Sequence, residues 1–88
     1  MTTEQCTDQV RQVVGLHGRL PVDVSTVGVD DDLFQAGMTS HANVNVMLAL
    51  EDAFDVEFPE SMLRRSTFES IGSIRAALAE LAPMEAAS

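Results

Sequence analysis

Tryptophan, tyrosine and lysine are absent from this chain, and cysteine occurs once, at Cys6. A lone cysteine excludes an internal disulfide. Its helical spacing to Val10, Val13 and Val14 makes it a small residue on an apolar helix face. Four phenylalanines are the only aromatic rings beside the two histidines, so leucine, valine, alanine and methionine must fill the core, which suits helix packing. Without lysine, five arginines face 14 acidic residues and the net charge is -9. Nucleic acid and anionic membranes are disfavoured as partners, whereas a basic protein surface would be steered in. No apolar run approaches the ~20 residues of a membrane span. Met1-Thr2-Thr3-Glu4-Gln5 has neither the basic start nor the apolar stretch of a signal peptide, so a reducing cytoplasm is expected. Strand-like alternation is confined to Val22-Asp23-Val24 and Val56-Glu57-Phe58, too short to build a sheet.

What is present reads as one all-α domain spanning 1–88, with its core over about 4–81 and a flexible tail over 82–88. Thr2 and Gln5 stand at capping-box spacing before a first helix over about 3–16, closed around Gly15 and Gly18. A long connection follows from Arg19 to Thr39, with Pro21, the acidic triplet Asp30-Asp31-Asp32 and the apolar pair Leu33-Phe34. A loop of that length in so small a domain is unusual and often functional. Leu33 and Phe34 should pin it to the core, with Leu20, Val22 or Val27 helping. A second helix is predicted over about 40–55, a short one over 60–65 after Pro59, and a last one over 67–81 ended by Pro83. Ser66 and Glu69 stand at capping-box spacing before the last helix, whose stripe is Phe68, Ile71, Ile74, Leu78 and Leu81. The expected architecture is a small four-helix bundle, three longer helices and one short, with a long loop between the first two.

Ser40 stands out within Asp32-Leu33-Phe34-Gln35-Ala36-Gly37-Met38-Thr39-Ser40-His41. It falls after a glycine break, at the first position of the second helix, where a hydroxyl is exposed near the positive end of the helix dipole. That is a good place for a phosphate ester. The helix itself has two apolar arcs at 100° per residue. Val46, Met47, Leu50, Ala53 and Phe54 form the core stripe, while Val44 and Leu48 lie nearly opposite, among His41, Asn45, Glu51 and Asp52. A single-layer bundle cannot bury both arcs, so Val44 and Leu48 should be partly exposed within an acidic rim, a pattern that can mark a docking surface.

Other chemistries fit poorly. Ser40 and His41 are adjacent, and neighbours on a helix point about 100° apart, so they do not form a nucleophile–base pair. No nucleophile elbow is present. Asp30-Asp31-Asp32 lacks the spacing and terminal glutamate of a calcium loop and reads as a solvated loop or a cap before Leu33. His17 and His41 are not at a metal-ligand spacing. Arg64-Arg65 reads as a solvated helix end, paired with Glu60 or Glu69, or as a docking element on the short helix.

The ordered set Asp32-Leu33-Phe34, Gly37, Ser40, Leu50-Glu51-Asp52-Ala53-Phe54-Asp55-Val56 and Pro59 resembles the acyl carrier protein family, which includes peptidyl carrier domains. The resemblance spans about residues 4–81 and implies a carrier, not an enzyme. It implies a right-handed four-helix bundle whose Ser40 receives 4′-phosphopantetheine from coenzyme A through a magnesium-dependent phosphopantetheinyl transferase. An acyl or aminoacyl group then rides as a thioester on the arm, and the second helix meets partner enzymes through Val44, Leu48, Glu51 and Asp52. Thr39 and His41 depart from the family's usual aspartate and large apolar residue beside the serine, and so bear on which partners recognise it. Asn45 stands where fatty-acid carriers commonly place glutamate. Residues 37–59 look closer to stand-alone bacterial carriers charged by amino acid:carrier protein ligases, relatives of seryl-tRNA synthetases. That likeness implies a small amino acid such as glycine or alanine as cargo, and a monomer that meets a ligase and a downstream acceptor enzyme. Two other readings stand beside it: an acyl carrier for fatty acid or polyketide-type biosynthesis, and an unmodified acidic helical adaptor.

Overall fold

The computed structural model describes residues 3–81, and every regular element among them is helical. Five α-helices run in the order α1 (Thr3–His17), α2 (Leu33–Ala36), α3 (Ser40–Phe54), α4 (Arg65–Phe68) and α5 (Ile71–Leu81), with 3₁₀ turns at Val24–Thr26 and Glu60–Met62. The α1 helix packs against both α3 and α5, and α4 packs against α5. No helix among the described residues is long and apolar enough to cross a membrane. The expected capping residue Thr2 and the expected tail at 82–88 lie outside the described residues.

The apolar stripes find their partners largely as their spacing predicts. Cys6, Val10, Val13 and Val14 of α1 are buried against Val46 and Leu50 of α3 and Ile71, Ile74 and Leu78 of α5. Burial pushes the Cys6 thiol above its ordinary pKa, by more than Arg75 draws it down. The α3 stripe is shifted from expectation. Ala42 joins Val46 and Leu50 in the core, while Ala53, in the last turn, is exposed.

The α1 helix runs through Gly15 and ends at His17, with Gly18 N–H donating to Val14 O at 2.7 Å and Arg19 taking a left-handed φ of 54°. Gly15 matters for another reason: a Cβ there would meet Val24 Cγ1 at 2.8 Å, so its lack of a side chain lets the long connection lie against α1.

That connection is tied down at several points. Arg11 donates to the carbonyls of Val24, at 2.8 Å, and Val27. Gly72 N–H donates to Val29 O at 2.9 Å, and Leu33 N–H to Glu69 O at 2.6 Å. Leu33 and Val27 are fully or almost fully buried and Phe34 and Leu20 are half-buried against the core, whereas Val22 is 49% exposed and pins nothing. The acidic triplet acts locally: Asp32 Oδ1 accepts from Phe34 N–H at 2.8 Å and starts α2, and Asp31 accepts from Gly28 N–H at 2.7 Å. The α2 turn went unanticipated because its four residues are too few to show a period.

The C-terminal part differs most from expectation. The stretch predicted as a short helix over 60–65 and a last helix over 67–81 forms a 3₁₀ turn, then α4, then α5. Ser66 and Glu69 form no capping box, since α4 begins at Arg65 without a side-chain cap. The reciprocal pair is Ser70 and Ser73: Ser70 Oγ accepts from Ser73 N–H at 3.0 Å, and Ser73 Oγ from Ser70 N–H at 3.1 Å. This box breaks the helix at 69–70 and turns Phe68 inward, edge-on to Phe58 at 5.2 Å between centroids.

Candidate functional site at the start of α3

Three local devices place Ser40. Asp32 starts α2 and Gly37 ends it, with φ at 123°, a backbone conformation that a side chain would strain. A Cβ on Gly37 would also lie 2.5 Å from Pro21 Cδ. Met38 then turns inward and is almost fully buried, its N–H donating to Leu33 O at 2.9 Å. Thr39 is the N-cap of α3, its Oγ1 accepting from Ala42 N–H at 3.0 Å. Because Thr39 supplies the capping oxygen, the hydroxyl of Ser40, the first helical residue, stands exposed beside it. The threonine in place of the family's aspartate therefore keeps the cap and drops the charge.

Ser40, Val44 and Leu48 are spaced four residues apart and share a face. Val44 is 47% exposed and Leu48 52%, and His41, Asn45 and Asp52 are exposed around them. Glu51 behaves differently. It is half-buried, and its Oε2 accepts from Phe58 N–H at 2.9 Å. Its carbonyl also accepts from Val56 N–H at 3.0 Å, next to Asp55 in a left-handed conformation, which closes α3. Glu51 thus holds the chain that leaves α3, whatever else it meets.

A cleft of about 380 Å³ opens beside Ser40, lined by Phe34, Asn43, Val44, Met47, Leu63, Arg64, Arg65 and Phe68. Sequence reading placed Arg64 and Arg65 on a solvated helix end, paired with an acid or docking. Both side chains are exposed, in line with the solvated reading, and each has a local contact: Arg64 donates to Ser61 O through Nε and Nη2 at 2.9 and 2.7 Å, and the Arg65 guanidinium lies 4.2 Å above the Phe34 ring. Asn43 was missed outright. Its Oδ1 is buried with no hydrogen-bond partner, a costly state for an amide oxygen. Its position on α3, three residues after Ser40 and near the core stripe, was the one signal for it. Among the described residues, no cluster of three or more His, Cys, Asp or Glu side chains could hold a metal ion.

This arrangement can accept a group on an exposed hydroxyl and present it beside an apolar face that partners can reach. An anionic ester fits it, with a helix N-terminus and two arginines close by. Comparison with known proteins agrees. The family described as phosphopantetheine attachment site matches residues 8–82. An aminoacyl carrier protein of Agrobacterium fabrum is 43% identical over 65 residues, 74% of this chain and 78% of that protein. The carrier protein from Agrobacterium tumefaciens, solved with ATP and an engineered Bradyrhizobium japonicum glycine:[carrier protein] ligase, is represented in a match with TM-score 0.84 and 37% identity, over 86% of this chain and 99% of the other. A second match, with TM-score 0.73 and 25% identity over 83% of this chain and 97% of the other, comes from the Bradyrhizobium japonicum ligase complexed with glycylated carrier protein. The chain belongs to the phosphopantetheine attachment-site family. It is a carrier protein, and its cofactor is covalent 4′-phosphopantetheine.

Proposed function

We propose that Ser40 bears the phosphopantetheine arm and that the arm carries an amino acid, loaded by an amino acid:carrier protein ligase and passed to a downstream acceptor. The observation that carries the first half is the exposed Ser40 hydroxyl at the first residue of α3, released from capping by Thr39. The second half is supported by the similarity to an aminoacyl carrier protein and to carriers solved with a glycine:[carrier protein] ligase. The arm supplies the thiol that forms the thioester. The protein's residues do the rest. Thr39 fixes the helix start, Gly37 and Met38 aim it outward, and Val44 and Leu48 offer apolar contact within a rim that includes His41, Asn45 and Asp52. Tethering then turns each meeting of cargo and partner into an encounter at high effective concentration. The domain acts as a carrier and not a catalyst, and a cytoplasmic setting suits a free thiol.

The test is intact mass after incubation with coenzyme A, magnesium and a broad-specificity phosphopantetheinyl transferase. One added phosphopantetheine is expected, and none in Ser40→Ala. Absence of any gain, with a known carrier modified alongside, would favour the unmodified adaptor. On the modified protein, an amino acid:carrier protein ligase with glycine or alanine should add a hydroxylamine-labile aminoacyl group. Loading only by an acyl-transferring enzyme would move the protein to the acyl carriers.

A further inference from the structure

We propose that Asn43, Arg64 and Arg65 form a resting cradle for the arm along the cleft between α3 and α4. The inference rests on Ser40 as the attachment point. The cleft's lining offers a counterpart to each group of the arm. Nearest the serine the arm carries a phosphodiester, one negative charge. Ser40 shares the cleft with two of the chain's five arginines, in a molecule whose net charge is -9. Guanidinium forks suit phosphate oxygens. The Arg65 fork is held against the Phe34 ring, and Arg64 is held by the Ser61 carbonyl, so both heads are largely positioned before an anion arrives.

Next along the arm is a carbon bearing two methyl groups. The cleft offers Phe34, Val44, Met47, Leu63 and Phe68, of which Val44 and Leu63 are each about half exposed. Covering them removes apolar surface from water. Beyond that carbon the arm carries a hydroxyl and an amide. Asn43 lines the same cleft, and its Oδ1, buried and unpartnered in this conformation, can accept from either once a rotation of the side chain brings it to the cleft surface. A buried acceptor with no internal partner is retained at a cost, and a tethered donor that reaches it removes the cost. The occupant is tethered to a residue of the cleft wall, so it need not be strongly attracted to rest there.

The experiment compares apo and modified protein by NMR, after intact mass has established the arm. The expected result has three parts. The arm's geminal methyls give NOEs to Phe34, Met47 and Phe68. The Asn43 side-chain amide and the Arg64 and Arg65 Nε–H signals shift between apo and modified forms. In R64Q/R65Q, with a backbone spectrum otherwise like that of the wild type, the NOEs are lost and the phosphorus resonance moves towards that of free phosphopantetheine. Asn43→Ala, a second variant, should weaken the NOEs while leaving the phosphorus resonance in place. Modified protein whose methyls show no NOE to the cleft overturns the cradle and leaves Ser40 as the attachment point. So does a cleft whose signals move only when a ligase is added, which would make it a partner's site. NOEs that survive in R64Q/R65Q overturn the arginine assignment. If no arm is added, or if the arm is added equally to Ser40→Ala, the attachment reading and the cradle both fall.

Discussion

Thr39 shows how much a single side chain arranges at this site. Its Oγ1 bond to Ala42 N–H satisfies one of the unpaired donors at the start of α3 and leaves the neighbouring hydroxyl exposed. Thr39→Ala should cost about 1 kcal/mol of stability. For a domain of this size that is a fall of roughly 4–8 °C in Tm, readable by thermal unfolding. Thr39→Asp keeps a capping oxygen and adds a charge favourable to the helix dipole, so its Tm should match or exceed the wild type. An unchanged Tm in Thr39→Ala would mean that the cap contributes little to holding the helix start. Gly37 and Met38 complete the local design, one by a backbone conformation that side chains resist and the other by burial. All these effects act within a few residues of Ser40, which is why Gly-x-x-Ser before an apolar periodic run could be read in advance.

At the scale of elements, α3 divides its labour by face. Ala42, Val46 and Leu50 are buried, while Val44 and Leu48 stay exposed on the side that carries Ser40. The helical wheel foretold the burial of Val46 and Leu50 and the exposure of Val44 and Leu48, because angular position on one helix follows from spacing alone, but it did not include Ala42. It did not foretell the separate fates of Glu51 and Asp52. Asp52 is exposed, whereas Glu51 is occupied by Phe58 N–H. Glu51→Ala should therefore destabilise the domain by about 1–2 kcal/mol by leaving a half-buried donor unpaired, seen in urea unfolding. Asp52→Arg should leave the unfolding midpoint near the wild type and slow aminoacylation by the ligase at low salt. Equal unfolding midpoints in both variants would show that the Glu51 bond does not hold the end of α3. Unchanged charging in Asp52→Arg would remove this residue from the docking face. The split of the C-terminal stretch into α4 and α5 belongs to this scale too. The sequence shows one capping-box spacing here, Ser66 with Glu69, but the reciprocal pair that forms is Ser70 with Ser73, and it leaves Phe68 free to reach Phe58.

For the whole molecule, net charge is the property partners meet first. Five arginines cannot offset 14 acidic residues, and Arg11 and Arg75 are spent inside the fold, on the Val24 and Val27 carbonyls and on Thr7 Oγ1. The outward field is strongly negative and should speed encounter with a basic enzyme surface. Raising ionic strength from about 0.01 to 0.15 M shortens the screening length from roughly 30 to 8 Å. The apparent KM of a ligase for this carrier should rise across that range while kcat holds. A KM that does not respond to salt would assign docking to Val44 and Leu48 rather than to charge.

The sequence by itself determined the helical class, the positions of α1 and α3, the core stripes of α1 and α5, and the place of Ser40 just inside a helix. These depend on periods and caps that act over three to eight residues, so near neighbours are enough to specify them. Only the tertiary structure decided that Arg64 and Arg65 share a cleft with Ser40, that the Asn43 Oδ1 is buried without a partner, and that Glu51 serves Phe58. It also decided which serine starts α5. Each of these turns on how segments distant in the chain pack against one another, and a local pattern carries no record of its distant neighbours.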